Sequence, residues 1–201
     1  MRLLLATHNE HKRRELERLL GAGGAGWELD ALPAQVTLPP EDGDTFAANA
    51  LGKARAAARA TGRPSIADDS GIAAAALGGA PGVRSARYAG EHASDEENLR
   101  KLEREAPAGS ALEYVCAIAY VEPASGEERL FEGRWKGRMA AGRQGRRGFG
   151  YDPVFLPAER PQTTAAELTD AQKDALSHRG RAARALAEWL ATADPGAGAS
   201  S

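Results

Sequence analysis

The amino-acid sequence predicts an α/β protein built on a mixed sheet. Three observations carry that prediction. Short apolar runs alternate with amphipathic helical spacing through the first half, two longer strand patterns flank a Ser-Gly turn, and polar start signals precede several helical stretches. Strands alternating with helices imply parallel pairing, and the hairpin adds antiparallel strands.

Taken in order, residues 2–6 read as a short buried strand. Thr7-His8-Asn9 then turns into a helix over residues 10–20, with Leu16, Leu19 and Leu20 on one face. Glycines within 21–26 end it, and residues 27–32 form a weaker strand pattern before Pro33, Pro39 and Pro40 mark an irregular stretch. Asp44 or Thr45 caps a second helix through residue 60, stopped by Gly62 and Pro64. Ser65-Ile66-Ala67 reads as a strand whose carboxyl end delivers Asp68 and Asp69. A glycine-rich loop spans 77–84, and Ser94 with Glu97 forms a capping box that opens a third helix ending near 105. Residues 112–121 and 127–137 pair through a turn at Ser125-Gly126. A basic, glycine-rich loop over 142–150 leads into Asp152-Pro153-Val154-Phe155. Thr169 with Gln172 opens a short helix, and the last helix starts at Ser177 and carries Leu186, Trp189 and Leu190. Residues 1–194 thus read as a single domain without repeat or linker, and 195–201 as a flexible tail.

Composition narrows the function classes. The 201 residues are 42% apolar and 27% charged, ordinary for a soluble globular protein. A net charge of −2 provides no overall basic field for nucleic acid or anionic lipid, so phosphate must be held by local charges and backbone amides. The lone Cys116 sits in an apolar run and reads as an inert core thiol. The apolar run over residues 3–6 is too short for a signal peptide or a membrane span. A cytoplasmic enzyme with neither membrane nor nucleic-acid partner is expected.

Five motifs can carry chemistry, and each has a plain reading beside the functional one. Thr7-His8-Asn9-Glu10-His11-Lys12 opens a helix whose free N–H groups and dipole suit phosphate, or it is an ordinary cap with a solvated lysine. Asp68-Asp69-Ser70-Gly71 pairs two carboxylates, which suits magnesium, or it is an exposed turn before glycine. Neighbours on extended backbone point to opposite faces, so only one aspartate faces a ligand. Glu41-Asp42-Gly43-Asp44 offers a further metal ligand, Glu41 first, or simply caps the second helix, where Asn49 and Lys53 share a face. Gly148-Phe149-Gly150-Tyr151-Asp152-Pro153 exposes a stacking ring beside an acid able to accept base N–H groups, or is a loop entering an edge strand. Lys173 with Ser177-His178-Arg179-Gly180 puts positive charge at a helix start, where the dipole disfavours it unless an anion or base carbonyl answers.

These motifs together give a stronger signal. Leu5-Ala6-Thr7-x-Asn9 with Lys12, Thr45-Phe46-x-x-Asn49-Ala50 with Lys53-Ala54, and Ala67-Asp68-Asp69-Ser70-Gly71 run in order. Leu77-Gly78-Gly79-Ala80-Pro81-Gly82, Ser85-Ala86-Arg87-Tyr88, Gly148-Phe149-Gly150-Tyr151-Asp152-Pro153, Ala166-Glu167-Leu168 and Ser177-His178-Arg179-Gly180 follow. The series resembles the inosine triphosphate pyrophosphatase family, the Ham1-like pyrophosphatases of non-standard purine nucleotides, from residue 3 to residue 180. The resemblance implies a homodimer whose subunit has an elongated mixed central sheet flanked by helices, with two lobes around a nucleotide-binding cleft. It implies hydrolysis of ITP, dITP and XTP to the monophosphate and pyrophosphate, with Mg2+ as cofactor. Asp69 matches the family's catalytic base and metal ligand, while Glu41 stays a candidate metal ligand on the reading of its acidic cluster alone. Thr7, His8, Asn9, Glu10, His11, Lys12, Ser70, Phe149, Gly150, Tyr151, Asp152, Lys173, His178 and Arg179 match substrate-binding positions. One departure stands out: His8 replaces the glycine that usually follows the threonine, which bears on backbone approach to phosphate there. Two rivals remain at this stage, a Maf-type nucleotide pyrophosphatase of different base preference and a nucleotide-sensing or RNA-binding module without catalysis.

Overall fold

The computed structural model describes residues 2–21 and 28–193. Six strands form one open mixed sheet: β1 (Arg2–Leu5), β2 (Glu28–Ala31), β3 (Ser65–Ala74), β4 (Ala111–Glu122), β5 (Glu127–Met139) and β6 (Phe155–Pro157), in the order β2-β1-β3-β4-β5-β6. β1 pairs in parallel with β2 and β3, and β6 closes one edge antiparallel to β5. Among the described residues five α-helices accompany the strands: α1 (Glu10–Gly21), α2 (Phe46–Thr61), α3 (Asp95–Glu105), α4 (Asp170–Leu176) and α5 (His178–Ala193). The predicted strand start at Trp27 and the tail over 195–201 lie outside the described residues.

By its packing the chain divides into two compact units, one of residues 1–69, 116–132 and 179–201, the other of 70–115 and 133–178. In the first unit strand alternation sorts the core into two layers. Leu3, Leu5, Ile66, Cys116, Ile118 and Tyr120 face Leu16 and Leu20 of α1 and Leu186 and Leu190 of α5. Leu4, Ala6, Ala67, Ala117 and Ala119 face Ala50, Ala54, Ala57 and Ala58 of α2. Covering both faces explains why these strands read as unbroken apolar runs. Thr45, rather than Asp44, caps α2 by accepting from the Ala48 N–H at 3.1 Å. Gly62 ends the helix with φ at 67°, a conformation glycine adopts without steric cost.

The second unit has its own core, in which Trp135 and Phe155 are fully buried beside Tyr114, Ile72, Leu99 and Leu102. The capping boxes expected at Ser94–Glu97 and Thr169–Gln172 open α3 and α4.

One element differs from expectation. β3 does not end at Ala67 but runs through Asp68-Asp69-Ser70-Gly71 to Ala74, so the acidic pair lies inside a strand and not on a turn. Buried partners answer both carboxylates, which removes the reason for the strand to stop. Gly71 is needed for packing: a Cβ there would fall 2.3 Å from Ser85 Oγ and 2.6 Å from the Gly82 carbonyl. Ser85 Oγ accepts the Ile72 N–H at 2.8 Å.

Candidate active site

The register of the first unit positions its charged residues. Leu5, the last residue of β1, pairs with Ile66, so β3 carries Asp68 and Asp69 past the carboxyl end of β1. Ligands of parallel sheets sit beyond such ends. Ile66 faces α1 and α5, and Ala67 faces α2. By alternation Asp68 shares the face of Ile66, and Asp69 that of Ala67.

The contacts follow this division. Asp68 is fully buried; its Oδ2 accepts from Arg179 Nε at 3.2 Å and Nη2 at 3.1 Å, with Lys12 Nζ 3.4 Å away. Its Oδ1 is buried with no hydrogen-bond partner among the described residues. Asp69 accepts from Asn49 Nδ2 at 2.9 Å, and Lys12 Nζ stands 3.9 Å from its Oδ1. Asn49 also accepts the Gly43 N–H at 2.8 Å, tying the acidic loop to the same face. Lys53, which shares a helix face with Asn49, is buried, donating to the Asp68 carbonyl at 2.5 Å and to the Glu41 carboxylate.

Electrostatics separates the two aspartates. Burial works to raise Asp68, but Lys12, Arg179 and Lys53 outweigh it and hold its pKa well below the usual carboxylate range. Burial raises Asp69 in the same way, and there Glu41 adds to burial while Lys12 only partly offsets it, so its pKa ends above the ordinary value. Lys12 is lowered by burial yet raised overall, chiefly by Asp68. Asp68 is therefore a permanent anion, and Asp69 the more proton-receptive of the pair.

The 7–12 segment is internally organised. Thr7 Oγ1 accepts the Asn9 N–H at 3.1 Å, and Asn9 Oδ1 caps α1 by accepting the Lys12 N–H at 3.0 Å. His8 and His11 are exposed. Glu10 is exposed and held by Arg13, whose hydrogen bonds lower its pKa to about 2. Lys12 of this segment reaches both aspartate carboxylates.

The second unit builds a different constellation around Asp152. One oxygen accepts from Lys173 Nζ at 2.7 Å and the Phe149 N–H at 3.0 Å; the other accepts from the Tyr114 hydroxyl at 3.2 Å. Gly148 has φ of 72°, and a Cβ there would lie 2.0 Å from Asp152, so glycine is required for the loop to close on the acid. Lys173 Nζ stands 5.1 Å from the half-buried Phe149 ring, and His178 stacks on Tyr114 at 4.6 Å and 6°. Gly150 and Ser70 are half-buried, while Tyr151 is buried and donates to the Ser85 carbonyl at 2.7 Å.

Two residues escaped the sequence reading. Tyr114 was hidden in an apolar strand. Glu15 is buried on α1 and takes a hydrogen bond from Arg179; the signal was a carboxylate three residues after Lys12, next to Leu16 on the buried face. The positive charge noticed at the start of α5 is answered, for Arg179, by Asp68 and Glu15.

The model of the Ham1 family matches residues 3–189. The chain belongs to the Ham1 family. A relative from Frankia alni named dITP/XTP pyrophosphatase is 49% identical, covering 94% of this chain and 97% of its own. One of the same name from Corynebacterium glutamicum is 45% identical, covering 95% and 97%. Among solved structures, a HAM1 protein from Coxiella burnetii superimposes with a TM-score of 0.84 at 38% identity, covering 96% of this chain and 99% of that one. A nucleoside-triphosphatase / dITP/XTP pyrophosphatase from Mycobacterium abscessus gives 0.70 at 45% identity, covering 94% and 100%. Among the described residues no helix is long and apolar enough to cross a membrane, and no three His, Cys, Asp or Glu side chains converge to cage a metal ion.

Proposed function

We propose that this chain, over residues 1–194, hydrolyses ITP, dITP and XTP to the monophosphate and pyrophosphate with Mg2+, removing non-standard purines from the nucleotide pool. The single observation that carries the reading is the divergence of two adjacent aspartates, Asp68 gripped by Arg179 with Lys12 beside it, and Asp69 turned to the other face, where Asn49 donates to it and Lys12 stands 3.9 Å away. The names of the Frankia and Corynebacterium relatives support the substrate class.

The residues present suit a divalent cation. Glu15, Glu41, Asp68 and Asp69 are gathered with Lys12, Lys53 and Arg179 in one network, in which the Glu41 and Asp69 carboxylates repel each other. Asp69 and Glu41 would hold the ion, in keeping with magnesium's habit of taking one or two carboxylates and leaving its other positions to water and phosphate oxygens. When bound it neutralises phosphate charge and lowers the pKa of a bound water.

The chain's own residues supply the rest. Asp69 takes a proton as water attacks the α-phosphorus; a new phosphorus–oxygen bond forms and the α–β anhydride bond breaks. Lys12, with hydroxyl and amide groups of Thr7, Asn9 and Ser70, offsets the charge that develops on departing pyrophosphate. Arg179 contributes by holding Asp68. Base recognition falls to Phe149, Gly150, Tyr151, Lys173 and His178, with Asp152 fixing Lys173 and the loop. A donor aimed at the 6-oxo group would meet adenine's amino group unpaired, which is how such a site rejects ATP. His8, Glu10 and His11 border the phosphate end. A cytoplasmic homodimer without nucleic-acid partner completes the reading.

Pyrophosphate release from ITP, dITP, XTP, ATP, TTP and UTP, with and without magnesium, tests it. A preference for TTP or UTP would favour the Maf-type alternative, and no release at all a sensor. Asp69→Asn should abolish turnover while nucleotide binding persists; wild-type-like kinetics in that variant would sink the assignment.

A further inference from the structure

We propose that Glu15 is a positioning residue of the hydrolytic site, acting through Arg179 and Asp68 on Lys12. The inference rests on the pyrophosphatase reading above. Of the three acids on α1, Glu10 and Glu17 pair with Arg13 toward solvent, whereas Glu15 is buried beside Leu16. A lone carboxylate there would be costly, and a leucine would pack at no such cost. Arg179, whose side chain is only 2% exposed, is one of its partners.

The guanidinium is used on two sides. Nη1 donates to Glu15, while Nε and Nη2 both donate to Asp68 Oδ2. A planar fork held at two edges has its plane fixed. Lys12 lies three residues before Glu15 on the same helix and approaches the same Asp68 oxygen from 3.4 Å, then Asp69 Oδ1 from 3.9 Å. Charge therefore alternates along one line: Glu15, Arg179, Asp68, Lys12, Asp69. Asp68 Oδ2 is shared between two cations, and Glu15 draws one of them back. Without the charge of Glu15, Arg179 settles fully on Asp68 and loosens the hold of Asp68 on Lys12. The ammonium that offsets the leaving group then loses its fixed place, which affects the chemical step rather than nucleotide capture.

The experiment is steady-state hydrolysis of ITP and XTP by wild type, Glu15→Gln, Arg179→Gln and the double variant, each checked for folding by circular dichroism. Glu15→Gln is expected to lower kcat roughly 10–100-fold with KM within about threefold, the range typical of partners that orient a site from behind. Because Glu15 acts through Arg179, the double variant should match Arg179→Gln alone. An active wild type with an unaffected Glu15→Gln, a loss confined to KM, or an equal further loss in the Arg179→Gln background overturns the link. An inactive wild type counts against the pyrophosphatase reading instead. Should Glu15→Gln not fold, Glu15→Asp, which keeps the charge one methylene short, must show a smaller fall in kcat at constant KM, and a loss confined to KM overturns the link.

Discussion

Each unit buries an aspartate, and the two solve the problem of that charge differently. Asp68 is answered by Arg179 and Lys12 within a network that also takes in Glu15, Asp69, Lys53 and Glu41. Asp152 is answered by one lysine, one backbone N–H and one tyrosine hydroxyl. The first arrangement shares several carboxylates among several cations and is held on a strand, three helices and the loop that carries Glu41, rigid ground for moving a proton and stabilising phosphate charge. The second is a neutral pair beside the rings of Phe149, Tyr114 and His178, suited to reading the flat face and edge of a base. The difference teaches that burial of a carboxylate is not itself the mark of catalysis. What matters is whether the neutralising charge is shared, so that a neighbouring acid is left proton-receptive.

Asp68→Asn should have the largest effect on that contrast. It keeps the shape but leaves Arg179 and Lys12 facing a neutral amide in a buried setting, a loss of about 3–5 kcal/mol in stability when one partner of a buried pair is removed. Chemical denaturation measures this. Turnover should fall by about a thousandfold or more, as for loss of a main electrostatic element. A variant as stable and active as wild type would show that the shared network is idle.

Lys173→Met should have a smaller and different effect. The pair with Asp152 is lost, so KM for ITP should rise about tenfold, equivalent to about 1.4 kcal/mol of binding, and discrimination against ATP should shrink. kcat should stay within a few-fold, because no group of the first unit is touched. A kcat collapse at unchanged KM would reverse the assignment of roles between the two units.

Much of this was legible in the sequence because local rules agreed with the fold. The capping boxes at Ser94 and Thr169, the turn before Glu127 and the unbroken apolar run of β1 each act within a few residues. The split between Asp68 and Asp69 followed from strand geometry alone. The reach of β3 beyond Ala67 was not legible, because it depends on cations from α1, α2 and α5 that neutralise the acids from 15 to 111 residues away in sequence. Lys53 and Glu15 were obscured for the same reason: a charged residue on a helix reads as solvated until its partner from another element is known. The hydrogen bonds that Asp152 accepts from Lys173 and Tyr114 within its own unit were not legible either, because those donors lie 21 and 38 residues away in sequence.

Cys116 gives the finest probe of the contrast, because the only thiol of the chain lies in the first unit's core. Burial pushes its pKa up to about 12, with Arg179 drawing it down and Asp68 pushing it up. At pH 8 the folded thiol is ionised to only about one part in ten thousand, so alkylation should be undetectable until the unit opens. The unfolded thiol ionises from about pH 9 while the folded one keeps its proton. Stability should therefore be constant below pH 9 and decline by about 1.4 kcal/mol per pH unit between 9 and 12 from this group. Labelling at pH 8 then reports local opening. Asp68→Asn, which unbalances the charges above this core, should accelerate labelling; Lys173→Met, which alters only the second unit, should leave the rate at the wild-type value. Equal acceleration by both would mean that the units open together, and that the division of labour between them does not extend to their stability.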